Sequence, residues 1–301
     1  MPLFERILIA GVALLWGANF IVIKWGLEDV DPYAMTALRF FFIAIPAIFF
    51  VSRPSVPLKV VALYGLLFGG GLWGLVNLAV FLGTPAGSAS LLLQLSAFFS
   101  IVAALIFFNE PVSRLKVIGI GLAFAGFVMV TVFRNENVPL IGIIIMFVAA
   151  VSWTICNMLI KKAKPSNVPS FIIWSSLFVP IPVLLIPFFQ VYNSSAPEEF
   201  FNLFAISGIK GWVSILFQSF LTTLVGYGLW TRAITRYGLI NVAPYSLLVP
   251  ISGLFCGWVF YNEVMTRIEI IGAILILLGL VLLSVNIHQN INLMKNRYSR
   301  S

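Results

Sequence analysis

Ten apolar runs, each about as long as a bilayer is thick, dominate this 301-residue chain and leave it few ways to fold. A helix needs roughly 20 apolar residues to cross the hydrocarbon core. Separated by polar or proline-bearing breaks, the runs predict spans over 7–26, 33–51, 59–82, 87–108, 115–133, 139–160, 169–191, 210–231, 238–260 and 268–287. Within each run the apolar residues are continuous rather than alternating, which excludes a transmembrane barrel. The expected class is an all-α polytopic membrane protein. With 61% hydrophobic and 9% charged residues, the chain lacks the polar surface that a water-soluble domain requires. Cys156 and Cys256 fall inside apolar runs and read as small packing residues, not as a disulfide framework or a metal site. Residues 7–26 follow Arg6 as a secretory signal would, yet no small-residue cleavage pattern follows them. They read as a retained span.

One stretch occurs twice. Residues 109–126 read NEPVSRLKVIGIGLAFAG and residues 262–279 read NEVMTRIEIIGAILILLG. Asn109, Glu110, Ser113, Arg114, Ile118, Gly119 and Gly126 return as Asn262, Glu263, Thr266, Arg267, Ile271, Gly272 and Gly279, at a constant offset of 153. A polar turn, a hydroxyl, an arginine and two glycines in register identify the second half as a copy of the first. The halves take in residues 1–134 and 138–288, with a basic tail over 289–301.

Lysine and arginine set the expected orientation. With the N-terminus cytoplasmic, the inner side holds thirteen of them and the outer side four, with Arg39 inside span 2. Both termini are therefore expected in the cytoplasm, and the net charge of +8 reads as loops facing anionic headgroups rather than as a nucleic-acid surface. Five spans per half is an odd number, so the second half enters from the opposite side and the repeats are inverted. In transporters, inverted repeats put a substrate site near the pseudo-two-fold axis, with access alternating as the halves rock.

Candidate site residues are the polar groups that a bilayer makes costly. Trp16 and Asn19 in span 1 have counterparts in Trp153 and Asn157 of span 6. Arg39 lies about two turns inside the external end of span 2, as a carboxylate-binding or gating group or as a structural ion pair or carbonyl cap. Span 4 aligns Ser90, Gln94 and Phe98 by steps of four, a polar line with an aromatic floor, and Gln94 is the foremost candidate for substrate contact. Trp73 and Asn77 in span 3, Thr223, Tyr227 and Trp230 in span 8, and Asn241, Tyr245 and Ser252 in span 9 extend the set. Taken singly, each also reads as interhelical packing. Together they favour a central cavity. The glycines of spans 5 and 10 read as close helix contacts. The duplicated turn reads as a cap on the hinges between spans 4 and 5 and between spans 9 and 10.

No Asp or Glu lies well inside a predicted span, and the single histidine, His288, is at the edge of span 10. A proton relay through a buried carboxylate is not expected, so any coupling falls to boundary acids, the substrate's own protonation or exchange. The sequence holds no P-loop, HExxH, GxSxG or paired catalytic carboxylates, which leaves an ATP-driven pump or a membrane hydrolase without residues and calls for no cofactor.

The stretches WGANFIVIK (16–24), ALRF (37–40), PAIFFVSRPSVPL (46–58), PAGSASLLLQ (85–94), VGYGLW (225–230) and VAPYSLLVP (242–250) resemble the drug/metabolite transporter superfamily of the EamA type. The likeness covers the whole chain and is nearest to the subgroup exporting O-acetylserine and cysteine. It implies ten helices in two inverted five-helix repeats and export of small metabolites across a bacterial inner membrane. The partners are then a small amino-acid-like solute and the bilayer, with a monomer or a homodimer both open. Two other readings remain. The same fold can carry aromatic amino acids or hydrophobic cations in a box of Trp16, Trp73, Trp153, Tyr227 and Tyr245. A membrane scaffold or lipid-handling protein with no solute pathway would instead have a dry, packed interior.

Overall fold

Helix boundaries in the computed structural model, which describes residues 1–109, 113–132, 138–192, 199–261 and 266–284, follow from local chemistry. Span 2 starts where the Asp31 carboxylate accepts from the Tyr33 and Ala34 amides at 2.8 and 3.2 Å, with Pro32 at the first helical position. Asn167 begins span 7 in the same way, accepting from the Ser170 amide at 3.0 Å. Span 4 stops at Asn109, which takes the left-handed conformation (φ 48°, ψ 37°) that asparagine tolerates as a helix C-cap. The first residue of the duplicated turn is thus a helix stop. Glu110, Asn262, Glu263, Arg134, His288 and the tail over 289–301 lie outside the described residues.

Eight helical stretches among the described residues are long and apolar enough to cross a membrane. They are span 1 (Leu3–Gly26), span 2 (Pro32–Phe49), span 3 (Leu58–Phe81), span 4 (Ala86–Phe108), span 6 (Leu140–Ala163), span 7 (Val168–Phe189), span 8 (Ile209–Tyr237) and span 9 (Leu239–Phe260). The apolar helices Arg114–Val132 and Arg267–Ser284 are spans 5 and 10 and complete two sets of five. Span 8 runs further than its hydropathy suggests, so Arg232 and Arg236 stand on its last turns. From there they face Glu5 at 3.6 and 3.8 Å.

The helices pair as an inverted repeat requires. Span 1 packs on spans 8 and 9, and its counterpart, span 6, packs on spans 3 and 4. Span 2 meets its own counterpart, span 7, and span 5 meets span 10 in the most extensive pairing of all. That last contact is built on the duplicated glycines. A β-carbon on Gly126 would lie 2.5 Å from the Gly272 carbonyl oxygen, and one on Gly279 would lie 2.6 Å from that of Gly119. The two backbones approach so closely that only hydrogen fits, reciprocally on both helices, as at an isologous interface.

Departures from regular helix also recur in both halves. Spans 3 and 8 each contain a π-helical stretch, Leu66–Gly74 and Phe217–Tyr227. Span 4 pauses at Gln94, between helices Ala86–Leu93 and Leu95–Phe108, and span 9 tightens into a 3-10 turn over Ala243–Leu247, the matching position. Spans 1 and 6, by contrast, are unbroken helices of 24 residues.

The π segments arise from different residues. Span 3 carries Gly69, Gly70, Gly71 and Gly74 there, which leave the helix unsupported by side chains. Span 8 carries hydroxyls that bond backwards: Ser219 to the Ile215 carbonyl at 2.7 Å, and Thr222 and Thr223 to the Gln218 carbonyl at 2.9 and 2.7 Å. The bond from Thr223 reaches five residues back, the period of a π-helix.

Candidate functional site

The irregular spans and the two unbroken ones meet at an aromatic centre. Trp16 stacks on Tyr227 with centroids 4.3 Å apart, and the Trp16 indole N–H donates to the Thr222 carbonyl at 3.3 Å. Trp153 stands edge-on to Tyr227 at 5.1 Å, and Phe68 does so at 4.5 Å. Trp16 and Trp153, counterparts in the two halves, touch edge-to-face at 6.2 Å with planes 86° apart. Equivalent residues that touch each other lie beside the pseudo-two-fold axis, so this pair marks its course.

Arg39 occupies one flank of the centre and is fully buried. Seven residues separate it from Pro32, about 10 Å of helix at 1.5 Å per residue. Its Nε donates to Thr223 Oγ1 at 2.9 Å, Nη1 to Gln218 Oε1 at 3.0 Å, and Nη2 to both Thr223 and Thr222 hydroxyls at 2.8 and 3.3 Å. The guanidinium also lies 4.1 Å from the Trp73 ring centroid, a cation–π distance. Every one of these partners is neutral. The ion-pair expectation for Arg39 is therefore not met: hydroxyls, an amide oxygen and an indole face hold the charge, and among the described residues no carboxylate does.

Asn19 lies one turn along span 1 from Trp16 and is fully buried, with neither its amide nitrogen nor its oxygen hydrogen-bonded. That is a costly state, because a buried polar group left unmade loses roughly 1–3 kcal/mol. Asn77 donates to Thr36 Oγ1 at 2.8 Å, one turn from Arg39, and leaves its own oxygen without a partner. Gln94, at the pause in span 4, donates to the Ser90 carbonyl at 3.2 Å while its Oε1 is unpartnered. Asn157, on the other flank, is satisfied. It donates to Ser100 Oγ at 3.2 Å and accepts from the Trp230 indole at 3.1 Å.

Trp16, Arg39, Trp153 and Tyr227 thus share one centre, with Asn157 joined to it through Trp230 and Asn77 one turn beyond Arg39. Ser90 bonds back to the Gly87 carbonyl at 2.7 Å, beside span 9. Phe98 sits elsewhere, against Phe124 and Phe127 in a separate cluster with Leu247 and Ile276. The pause at Gln94 turns the second half of span 4 out of register, so the expected aromatic floor faces spans 5 and 10 instead. Tyr245 is half-buried at the margin of the core. Asn241 and Ser252 act as ties between helices: Asn241 accepts from Lys116 Nζ at 2.7 Å, and Ser252 donates to the Leu14 carbonyl at 2.6 Å.

Gln218 and Thr222, which hold Arg39, are absent from the sequence reading. Their signal was present as a stripe of Ser214, Gln218, Ser219, Thr222 and Thr223 along one apolar span. Among the described residues, no group of three or more His, Cys, Asp or Glu side chains is positioned to hold a metal ion.

The EamA-like transporter family profile matches residues 3–132 and again 140–285. The chain belongs to the EamA-like transporter family. Within reach of this EamA-like chain is a probable amino-acid metabolite efflux pump of Salmonella typhimurium, 37% identical over 276 residues, covering 89% of this chain and 91% of that one. Its namesake in Escherichia coli is 37% identical over 278 residues with the same coverage. An uncharacterized transporter of Bacillus subtilis is 25% identical over 283 residues. A crystal structure of a protein with 16% sequence identity superposes with a TM-score of 0.69, covering 93% of this chain and 98% of that one, which supports the fold. The EamA-like protein is a multi-pass membrane transporter with ten helices in two inverted repeats.

Proposed function

We propose that this EamA-like transporter exports small zwitterionic amino-acid metabolites of the cysteine and O-acetylserine kind across a bacterial inner membrane. The termini are cytoplasmic in this reading, and access alternates between the two repeats without ATP. The observation that carries it is Arg39, a guanidinium buried in the membrane interior among neutral acceptors. Desolvating a charge is expensive unless an opposite charge compensates it. A substrate carboxylate supplies that charge in transit, in the geometry a planar guanidinium favours. The unpartnered amide groups of Asn19, Asn77 and Gln94 supply hydrogen bonds to the rest of a small polar solute.

The same observation weighs against hydrophobic cations, which the buried Arg39 repels, and against a scaffold. A chain shaped only for packing gains by replacing buried unmet amides with hydrocarbon. The names of the Salmonella and Escherichia relatives agree with an amino-acid metabolite as cargo.

The decisive experiment is competition in proteoliposomes loaded with labelled cysteine. Unlabelled cysteine and O-acetylserine are expected to compete, whereas cysteamine, which is cysteine without its carboxylate, is expected to fail. Equal competition by cysteamine removes the carboxylate from recognition and sinks the assignment of Arg39.

A further inference from the structure

A crevice of about 150 Å³ opens between spans 2, 3 and 7, apart from the aromatic centre. One wall is the π-helical stretch of span 3, where Gly70 and Gly74 present no side chain, and the facing wall is Val179, Pro182 and Val183 of span 7. Tyr33, near the start of span 2, stands at one end. Leu66 and Ile186 line it too and are 42% and 52% exposed, so the crevice communicates sideways with the surface that the membrane wets.

We propose that this crevice is a binding site for the acyl chain of a bilayer lipid, entering from the leaflet at the Tyr33 end. Apart from the Tyr33 hydroxyl, its lining is glycine, proline and hydrocarbon side chains. Water needs two to four polar partners to occupy a cavity and finds almost none here. An empty apolar slot loses the dispersion contacts of both walls, and the medium surrounding these spans is itself hydrocarbon. The slot is long rather than round: its lining runs from Leu66 to Leu78 along span 3, at most about 18 Å at 1.5 Å per residue. Its volume takes on the order of ten water-sized groups, matching a stretch of methylenes. A zwitterionic solute would bring two charges into it and find nothing to pair them with.

The position gives such a chain a consequence. The other face of the same π-helical stretch buries Phe68, Leu72 and Trp73 in the core, and Trp73 is the ring under the Arg39 guanidinium. An acyl chain in the crevice braces the segment that holds Arg39.

The test is photolabelling of the full-length protein in nanodiscs made from a lipid with a diazirine midway along its acyl chain, with sites mapped by mass spectrometry. Labelling is expected to concentrate on Phe178, Val183 and their neighbours relative to open apolar surface such as Phe147 and Phe255, and to vanish from them in Val183→Phe. Gly70→Leu fills the slot from the opposite wall and serves if the first variant is not monodisperse. Labelling spread evenly over crevice and open surface, or persisting in the filled variants, overturns the proposal. Neither readout depends on which solute is transported.

Discussion

Spans 5 and 10 and spans 3 and 8 are both pairs of counterparts, and they have diverged in opposite ways. Spans 5 and 10 keep the duplicated arginine and the two contact glycines, are unbroken helices and meet each other through reciprocal glycine contacts. Spans 3 and 8 share a short G-x-G-L-W stretch, residues 69–73 and 226–230, but differ around it, and each winds partly into π-helix, one through glycines and the other through back-bonded hydroxyls. The first pair is constrained by its partner across the axis, so both copies must stay alike. The second pair faces a centre whose two flanks have separate tasks, with Trp73 and the Gln218–Thr223 hydroxyls converging on Arg39 from different halves. The repeats therefore share the indoles of the centre, Trp16 with Trp153 and Trp73 with Trp230, and differ in the hydroxyls and amide that hold Arg39.

Substitutions can break that division, and the largest effect is expected at Arg39. Arg39→Ala removes several charge-assisted hydrogen bonds of roughly 1.5–3 kcal/mol each, so cysteine efflux from proteoliposomes should fall by at least about tenfold. Arg39→Lys should restore little of it, because an ammonium cannot span Thr223 and Gln218 together. Next comes the packing pair. Gly126→Ala drives a methyl into the Gly272 carbonyl and should destabilise the protein by about 1–3 kcal/mol, read as a lowered thermal midpoint in detergent. The same change at Gly121, which has nothing within 4 Å of a β-carbon, should be neutral or slightly stabilising. If both glycines respond alike, helix propensity and not close approach governs span 5.

Asn19→Leu separates the two roles within one residue. Since neither polar atom of Asn19 is bonded, thermal stability should hold or rise, while efflux falls several-fold; efflux at the parental rate would mean that Asn19 has no part in transport. The smallest effect is expected at Asp31, outside the membrane. Burial pushes its carboxyl above the ordinary 3.8, more than the Ala34 and Tyr33 amides pull it down. A carboxylate with a raised folded pKa costs stability once ionised. That cost is absent below pH 3.8, grows as pH rises through the window up to the folded value, and stays constant above it. Asparagine caps a helix about as well, so Asp31→Asn should melt slightly above the parent at neutral pH, with the difference vanishing at or below pH 3.8.

Helix number, the repeat and its inversion were readable because hydropathy and charge are summed over whole spans, where single errors average out. The burial of Arg39 and Asn157 was readable because a charge or a carboxamide is costly in lipid and turns to the protein interior. Phe98 was misplaced, since spacing by fours presumes an unbroken helix and the pause at Gln94 ends that presumption. The π-helical stretches were invisible for a related reason. Glycines in one span and hydroxyls in the other reach one backbone shape, and the G-x-G-L-W stretch the two spans share at residues 69–73 and 226–230 does not carry the hydroxyls that wind the second. Gln218 and Thr222 escaped notice because neutral polar side chains in a span are usually helix ties, and their role appears only once Arg39 arrives from span 2.

The contact between Trp16 and Trp153 carries one more implication. Counterparts that touch are a contact the two repeats share, so a change in either indole alters the packing of both halves at once.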